Sequence, residues 1–122
     1  MGKMIMIIDD SASIRSVVGI TLKKSGYDVL EASDGKDALA KLTGQKVNLM
    51  VCDVNMPNMD GISFLKAVKQ NPTYKFTPVI MLTTESQESL KQEGKAAGAK
   101  AWMVKPFKPD MLLDAVSKLI LP

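Results

Sequence analysis

The sequence predicts an α/β domain in which five parallel strands alternate with five helices. Three observations predict it. Apolar runs of strand length, too short for helices, recur along the chain; amphipathic stretches at helical spacing separate them; and several runs stop abruptly at a carboxylate or hydroxyl. Strands apolar on both faces belong to parallel sheets, which helices cover on both sides.

The first run, residues 4–8, ends in Asp9 and Asp10, and Ser11 is a natural N-cap for the helix after it. Ile14, Val17, Val18 and Leu22 give that helix its apolar face, and Gly26 stops it. Gly19 inside it predicts close packing, since a mid-helix glycine costs about 1 kcal/mol against alanine. Residues 27–32 read as a short strand, and Asp34 caps a helix carrying Ala38, Leu39 and Leu42 that Gly44 ends. The third strand, 47–52, stops at Asp53, and Pro57 and Gly61 force a loop. Asp60 caps the next helix, about 61–70, with Ile62, Phe64, Leu65 and Val68 facing inward. Pro78 precedes the apolar strand 79–82; Thr83 and Thr84 stand at its carboxyl end, and Thr84 with Gln87 matches a capping box. The helix this opens, about 86–97, has Leu90 as its only large apolar residue and Gly94 interrupting it, so the least packed and most mobile helix is expected here. A last strand, 101–104, leads to Lys105 and Pro106. Pro109 suits a first helical turn, and Leu112, Leu113, Val116, Leu119 and Ile120 stripe the final helix.

A length of 122 residues with 46% hydrophobic content predicts one domain, residues 1–122. Neither a signal peptide nor a membrane span fits Lys3 followed by Asp9 and Asp10, which predicts a cytoplasmic protein without membrane insertion. The net charge of +3 comes from lysines scattered among acids, with no basic stripe or interleaved aromatics, so nucleic acid is not an expected partner. The absence of histidine excludes imidazole catalysis and imidazole metal ligands. The lone Cys52 reads as a small hydrophobe, and the nine methionines mostly as core filler.

Right-handed crossovers bring the carboxyl ends of all strands to one edge, where open α/β sheets hold their ligands. Asp9, Asp10, Asp53, Thr83 and Lys105 therefore converge there. Carboxylates so gathered repel, each pair by about 4 kcal/mol at ~4 Å in an effective dielectric near ~20. Hard oxygen donors without a histidine select Mg2+ to offset that repulsion. A magnesium with an open face, beside an ammonium and a hydroxyl, makes a phosphoryl-transfer site, and Asp53 is the central nucleophile. Singly, Asp53 also admits the lesser reading of a loop cap, Asp9 and Asp10 that of a solvated turn, and Lys105 first reads as a surface lysine; their joint placement carries the argument.

Asp53, Met56, Pro57, Asp60 and Gly61 fit a D-x-x-M-P-x-x-D-G run, and over essentially its whole length the chain resembles the receiver domains of bacterial two-component response regulators. Among these it is most similar to the single-domain chemotaxis regulators. The resemblance implies a flavodoxin-like sheet in the order 2-1-3-4-5. It implies Asp53 as phosphoacceptor, Asp10 as a direct Mg2+ ligand, Asp9 as a mainly water-mediated one, and Asn55 as giving its backbone carbonyl to the metal. Thr83 matches the switch hydroxyl, and Lys105 the phosphate-binding ammonium, whose bond to Pro106 is usually cis in the family. Asn55 and Glu85 match the pair of fast-resetting chemotaxis regulators, which implies rapid autodephosphorylation. Trp102 stands where the family's switch aromatic is more often Tyr or Phe; an indole is larger than either and donates only through its ring nitrogen, which puts its inward fit in question.

The implied partners are a histidine kinase as phosphodonor, a phosphatase, and a target protein such as the flagellar motor switch. The target would bind a face built from the fourth helix, last strand and last helix. Phosphoryl oxygens on Asp53 would attract the Thr83 hydroxyl and free space for Trp102. A hydrogen bond to a charged group contributes about 1.5–3 kcal/mol, enough to move a two-state balance from about 1:10 to near 10:1. Other readings stay open at this point. One is a stand-alone receiver in a phosphorelay unrelated to motility. A second is a Mg2+-dependent phosphohydrolase like the haloacid dehalogenases, which carry an aspartate where Asn55 stands. A third is a flavin mononucleotide carrier, in which Asp9 and Asp10 would repel the phosphate.

Overall fold

In the computed structural model, which describes residues 2–122, the strands are β1 (Met4–Ile8), β2 (Asp28–Ala32), β3 (Leu49–Cys52), β4 (Val79–Thr83) and β5 (Ala101–Val104). Between and after them run α1 (Ala12–Lys24), α2 (Gly35–Lys41), α3 (Gly61–Lys69), α4 (Glu88–Ala96) and α5 (Pro109–Leu119). All four strand pairings are parallel, in the order β2-β1-β3-β4-β5. That is the order the resemblance implied.

The central strands β1 and β3, and β4 up to its last residue Thr83, are apolar because both their faces are covered. Successive side chains alternate between two layers. Met6, Ile8, Met50, Cys52, Val79 and Met81 pack with Phe64, Leu65 and Val68 of α3. Ile5, Ile7, Leu49, Val51, Ile80 and Leu82 pack with Val18 and Leu22 of α1 and with Leu112 and Val116 of α5. The edge strands β2 and β5 are only partly covered.

The side chains of Ser11, Asp34 and Asp60 cap α1, α2 and α3 as expected, accepting from the N–H groups of Ile14, Asp37 and Ser63 at 3.3, 2.8 and 2.8 Å. Gly26 follows α1 at φ +90°, the left-handed conformation that glycine adopts freely. Partial burial pushes the pKa of Asp60 up, but the Ser63 N–H and hydroxyl outweigh it, and the net shift is downward. Its cap therefore stabilises the fold above the unfolded value near 3.8 and is lost as the pH falls through the lower folded value. Asp60→Ala should cost about 1 kcal/mol at neutral pH by chemical denaturation. Asp60→Asn should keep most of that while flattening the acid-side slope; an unchanged slope would count against the cap.

Several details differ from the sequence reading. Val17 is 50% exposed, so the apolar face of α1 is narrower than its pattern suggested. Gly19 is not at a close approach: a Cβ there would meet its nearest neighbour at 3.8 Å, an ordinary contact. Val47 and Asn48 are buried but precede β3, because the Asn48 side chain is tied to Met4 N–H at 2.9 Å and donates to the Leu121 carbonyl at 3.2 Å. The capping box of Thr84 and Gln87 does not form; α4 begins at Glu88 with no side-chain cap. Of the methionines, Met6, Met50 and Met81 are fully buried, while Met111 is 58% exposed. Among the described residues no helix is long and apolar enough to cross a membrane.

Candidate functional site

β1 and β3 are neighbours with Ile8 opposite Cys52, so Asp9 and Asp53 leave the sheet side by side. Backbone bonds fix both: Asp53 N–H donates to the Ile8 carbonyl at 2.9 Å and Asp9 N–H to the Ala32 carbonyl at 3.1 Å. Both carboxylates are buried, 3% and 7% exposed, whereas Asp10 faces solvent. The carboxylate oxygens of Asp9, Asp10 and Asp53 come within 4.8 Å of one another.

Lys105 is the first residue beyond β5. Its N–H donates to the Thr83 carbonyl at 2.8 Å, and its side chain turns inward across β4 and β3. The ammonium donates to Asp9 Oδ2 at 2.6 Å and to Asp53 Oδ2 at 3.1 Å. Burial pulls the Lys105 pKa down, but those hydrogen bonds and charges outweigh it, and the net shift is upward, so the cation persists at neutral pH. The other oxygen of Asp53, Oδ1, accepts from Val54 N–H at 2.6 Å. The Lys105–Pro106 bond is cis.

The loop between β3 and α3 explains the spacing of the D-x-x-M-P-x-x-D-G run. Gly61 N–H donates to the Val54 carbonyl at 2.8 Å, folding the start of α3 back onto Asp53. A Cβ on Gly61 would stand 1.8 Å from the Asp53 carbonyl oxygen. Asn58 takes a positive φ of 66° and donates to Asp34 Oδ2 at 2.8 Å, tying the loop to α2. The Asp37 N–H and the Asn58 amide hold the Asp34 carboxyl below its ordinary pKa.

Thr83 is fully buried at the end of β4, and its hydroxyl accepts from Glu85 N–H at 3.2 Å. Glu85 is committed at two further points. Its carboxylate accepts from the Asn55 amide at 3.2 Å, and its carbonyl accepts from Trp102 Nε1 at 2.9 Å. These bonds hold residue 85 in the loop and explain why the helix starts later than the sequence suggested. Asn55, Thr83 and Trp102 thus meet through Glu85, whose backbone role no sequence pattern announced. Arg15 was also missed: its guanidinium donates to the Asp9 carbonyl and, at 3.3 Å, to Glu31. The available signal was that it is the chain's single arginine among sixteen basic residues. Burial, with the charges of Asp53, Asp9 and Asp60, pushes the Cys52 thiol well up, so it stays protonated and acts as the hydrophobe expected. Beside Trp102, a groove of about 380 Å³ between α4 and β5 is lined by Glu88, Gln92, Lys91, Lys95 and Lys100.

The family of response regulator receiver domains matches residues 5–117. The chain belongs to that family. As a receiver domain it is 40% identical to protein PilG of Pseudomonas aeruginosa over 115 residues, 94% of this chain and 85% of that one. It is 36% identical to chemotaxis protein CheY of Bacillus subtilis over 121 residues, covering 98% and 99% of the two chains. The solved structure of Vibrio cholerae chemotaxis protein CheY4 superposes with a TM-score of 0.92 at 47% identity, covering 98% of this chain and 99% of that one. Receiver domains are signalling switches rather than classical enzymes; they take phosphoryl groups from histidine kinases, act on downstream targets and bind Mg2+ at an acidic pocket. The phosphohydrolase and flavin-carrier readings give way to this assignment. The three carboxylates of this receiver domain suit such an ion, being hard oxygen donors gathered within 4.8 Å, with Asp10 open to water.

Proposed function

We propose that the chain is a single-domain response regulator, residues 1–122, that accepts a phosphoryl group on Asp53 from a histidine kinase and thereby switches its binding to a target protein. The observation that carries this reading is the Lys105 ammonium lying across Asp9 and Asp53 within the carboxylate cluster. Asp9, Asp10, Asp53 and the Asn55 carbonyl would hold Mg2+, which when bound supplies charge to stabilise the equatorial phosphoryl oxygens.

The chain's own groups divide the remaining work. Val54 N–H holds Asp53 Oδ1, which leaves Oδ2, on the Lys105 side, to attack phosphorus. An oxygen–phosphorus bond forms there as the phosphorus–nitrogen bond to the kinase's histidine breaks, and the imidazole leaves with the electron pair. Lys105, already protonated, neutralises the transferred oxygens. In this reading the Thr83 hydroxyl follows them and so pulls on Glu85, to which it is bonded, and through it on Trp102. Asn55 and Glu85, bonded to each other at the rim, would order the water that resets the switch quickly.

The output face is α4, β5 and α5. Lys91, Lys95 and Lys100 in the groove there favour an acidic target segment. Similarity to two chemotaxis proteins supports motility control, with the flagellar motor switch as target and a phosphatase as a further partner. A cytoplasmic location follows from that role. The test is a titration with beryllofluoride and Mg2+ followed by Trp102 fluorescence. Native protein should give a saturable, Mg2+-dependent change and Asp53→Ala none; equal responses would remove Asp53 as the acceptor. Phosphorylated protein that ignores the motor switch would place the chain in a different phosphorelay.

A further inference from the structure

Gly94 is the one buried residue of α4 among the described residues. Glycine there weakens the helix by about 1 kcal/mol relative to alanine, so its presence calls for a packing reason. A Cβ at Gly94 would stand 2.7 Å from Trp102 Cζ3 and 3.2 Å from Cε3. The six-membered edge of the indole fills the place a side chain would take. At its other end the indole N–H is bonded to the Glu85 carbonyl, and Glu85 N–H to the Thr83 hydroxyl. Shape holds one side of the ring and a hydrogen bond the other.

We infer that Gly94 is a positioning residue for the switch: by leaving room for the indole it seats Trp102 on α4, and this seat transmits a displacement of Thr83 to that helix. The inference rests on the function proposed above. It explains how a tryptophan, larger than the usual ring, is accommodated at this position: the added ring is matched by a missing side chain eight residues earlier. Because Leu90 is the only large apolar side chain that α4 itself carries, the indole is a principal apolar anchor for the helix.

Trp102 is the only tryptophan, so its fluorescence reports the seat directly. Without ligand, Gly94→Ala should increase acrylamide quenching of Trp102 and lower the melting midpoint by a few degrees. In a Trp102→Leu background the same substitution should instead raise the midpoint by ~3–5 °C, the usual gain of alanine over glycine. With Mg2+ and beryllofluoride, 19F NMR counts bound fluoroberyllate independently of the indole. Gly94→Ala should bind it within about twofold of native, since the substitution lies outside the carboxylate cluster. The Trp102 fluorescence response at matched occupancy should fall by half or more. Equal midpoint gains in both backgrounds with unchanged quenching would overturn the seat, and a full fluorescence response in Gly94→Ala would overturn the transmission. If native protein binds no fluoroberyllate, the acceptor reading and the transmission through it both fail, and the ligand-free measurements still decide the seat.

Discussion

Gly61→Ala should be the most damaging single methyl addition in this chain. The new Cβ would lie 1.8 Å from the Asp53 carbonyl oxygen, 2.8 Å from its carbonyl carbon and 3.0 Å from Val54 Cα. All three are backbone atoms, so no rotamer change relieves the overlap; either α3 or the end of β3 must move. Overpacking a core costs about 1–3 kcal/mol when side chains can adjust, and here the cost should be at least the upper figure. At ~3–5 °C per kcal/mol for a domain of this size, the midpoint should fall by about 10 °C or more. The displaced backbone is that of Asp53 itself, so the response to beryllofluoride should weaken in any protein that remains folded. Gly19→Ala is the internal control: its Cβ meets nothing closer than 3.8 Å, and it should stabilise by about 1 kcal/mol. Similar melting curves for the two variants would refute the account of the β3 to α3 loop.

Lys105→Met should have opposite effects on stability and on metal affinity. It removes the ammonium that sits 2.6 Å from Asp9 and 3.1 Å from Asp53 and leaves two buried carboxylates facing each other. Stripping one partner from a fully buried ion pair costs about 3–5 kcal/mol; with Asp10 open to water beside the pair, about 2–3 kcal/mol is expected. The same loss removes a cation that competes with Mg2+ for these oxygens, so the Mg2+ dissociation constant should fall by about tenfold or more. Mg2+ at ~100 times that constant should restore about 2.7 kcal/mol and narrow the gap to the native protein. Phosphoryl acceptance should nonetheless drop, because on the function proposed above this ammonium is the group that neutralises the transferred oxygens. Denaturation with and without Mg2+, together with calorimetric Mg2+ titration, measures all three. An unchanged Mg2+ affinity would show that Lys105 and the metal do not share these carboxylates.

The elements and their order along the chain were legible because four of the five strands are short runs of apolar residues, β4 alone of these closing on a hydroxyl, and three of the helices open on a capping side chain. The carboxylate cluster was legible for a related reason: parallel strands with right-handed crossovers leave only one rim for Asp9, Asp10, Asp53 and Lys105 to share. What sequence could not show was competition among partners. Thr84 and Gln87 have the spacing of a capping box, yet Thr83, Asn55 and Trp102 all claim Glu85 first. The exposed Val17 was misplaced because a stripe of apolar residues does not say how much of it the neighbouring helices cover. Gly94 read as an interruption of a weak helix, and only its contact with a ring on the next strand gave it a purpose.

Far from the carboxylates, at the opposite rim, Asn48 joins β1 to the segment after α5 through its bonds to Met4 and Leu121. This foot of the sheet is clamped while its head is studded with repelling charge. On the function proposed above, Asn48 keeps β1 in register beside β3, so a pull on Thr83 would meet a central sheet that resists lengthwise slip. The direction left open to it is crosswise, towards the border at β5, which is only partly covered and would give a visiting protein room to feel it.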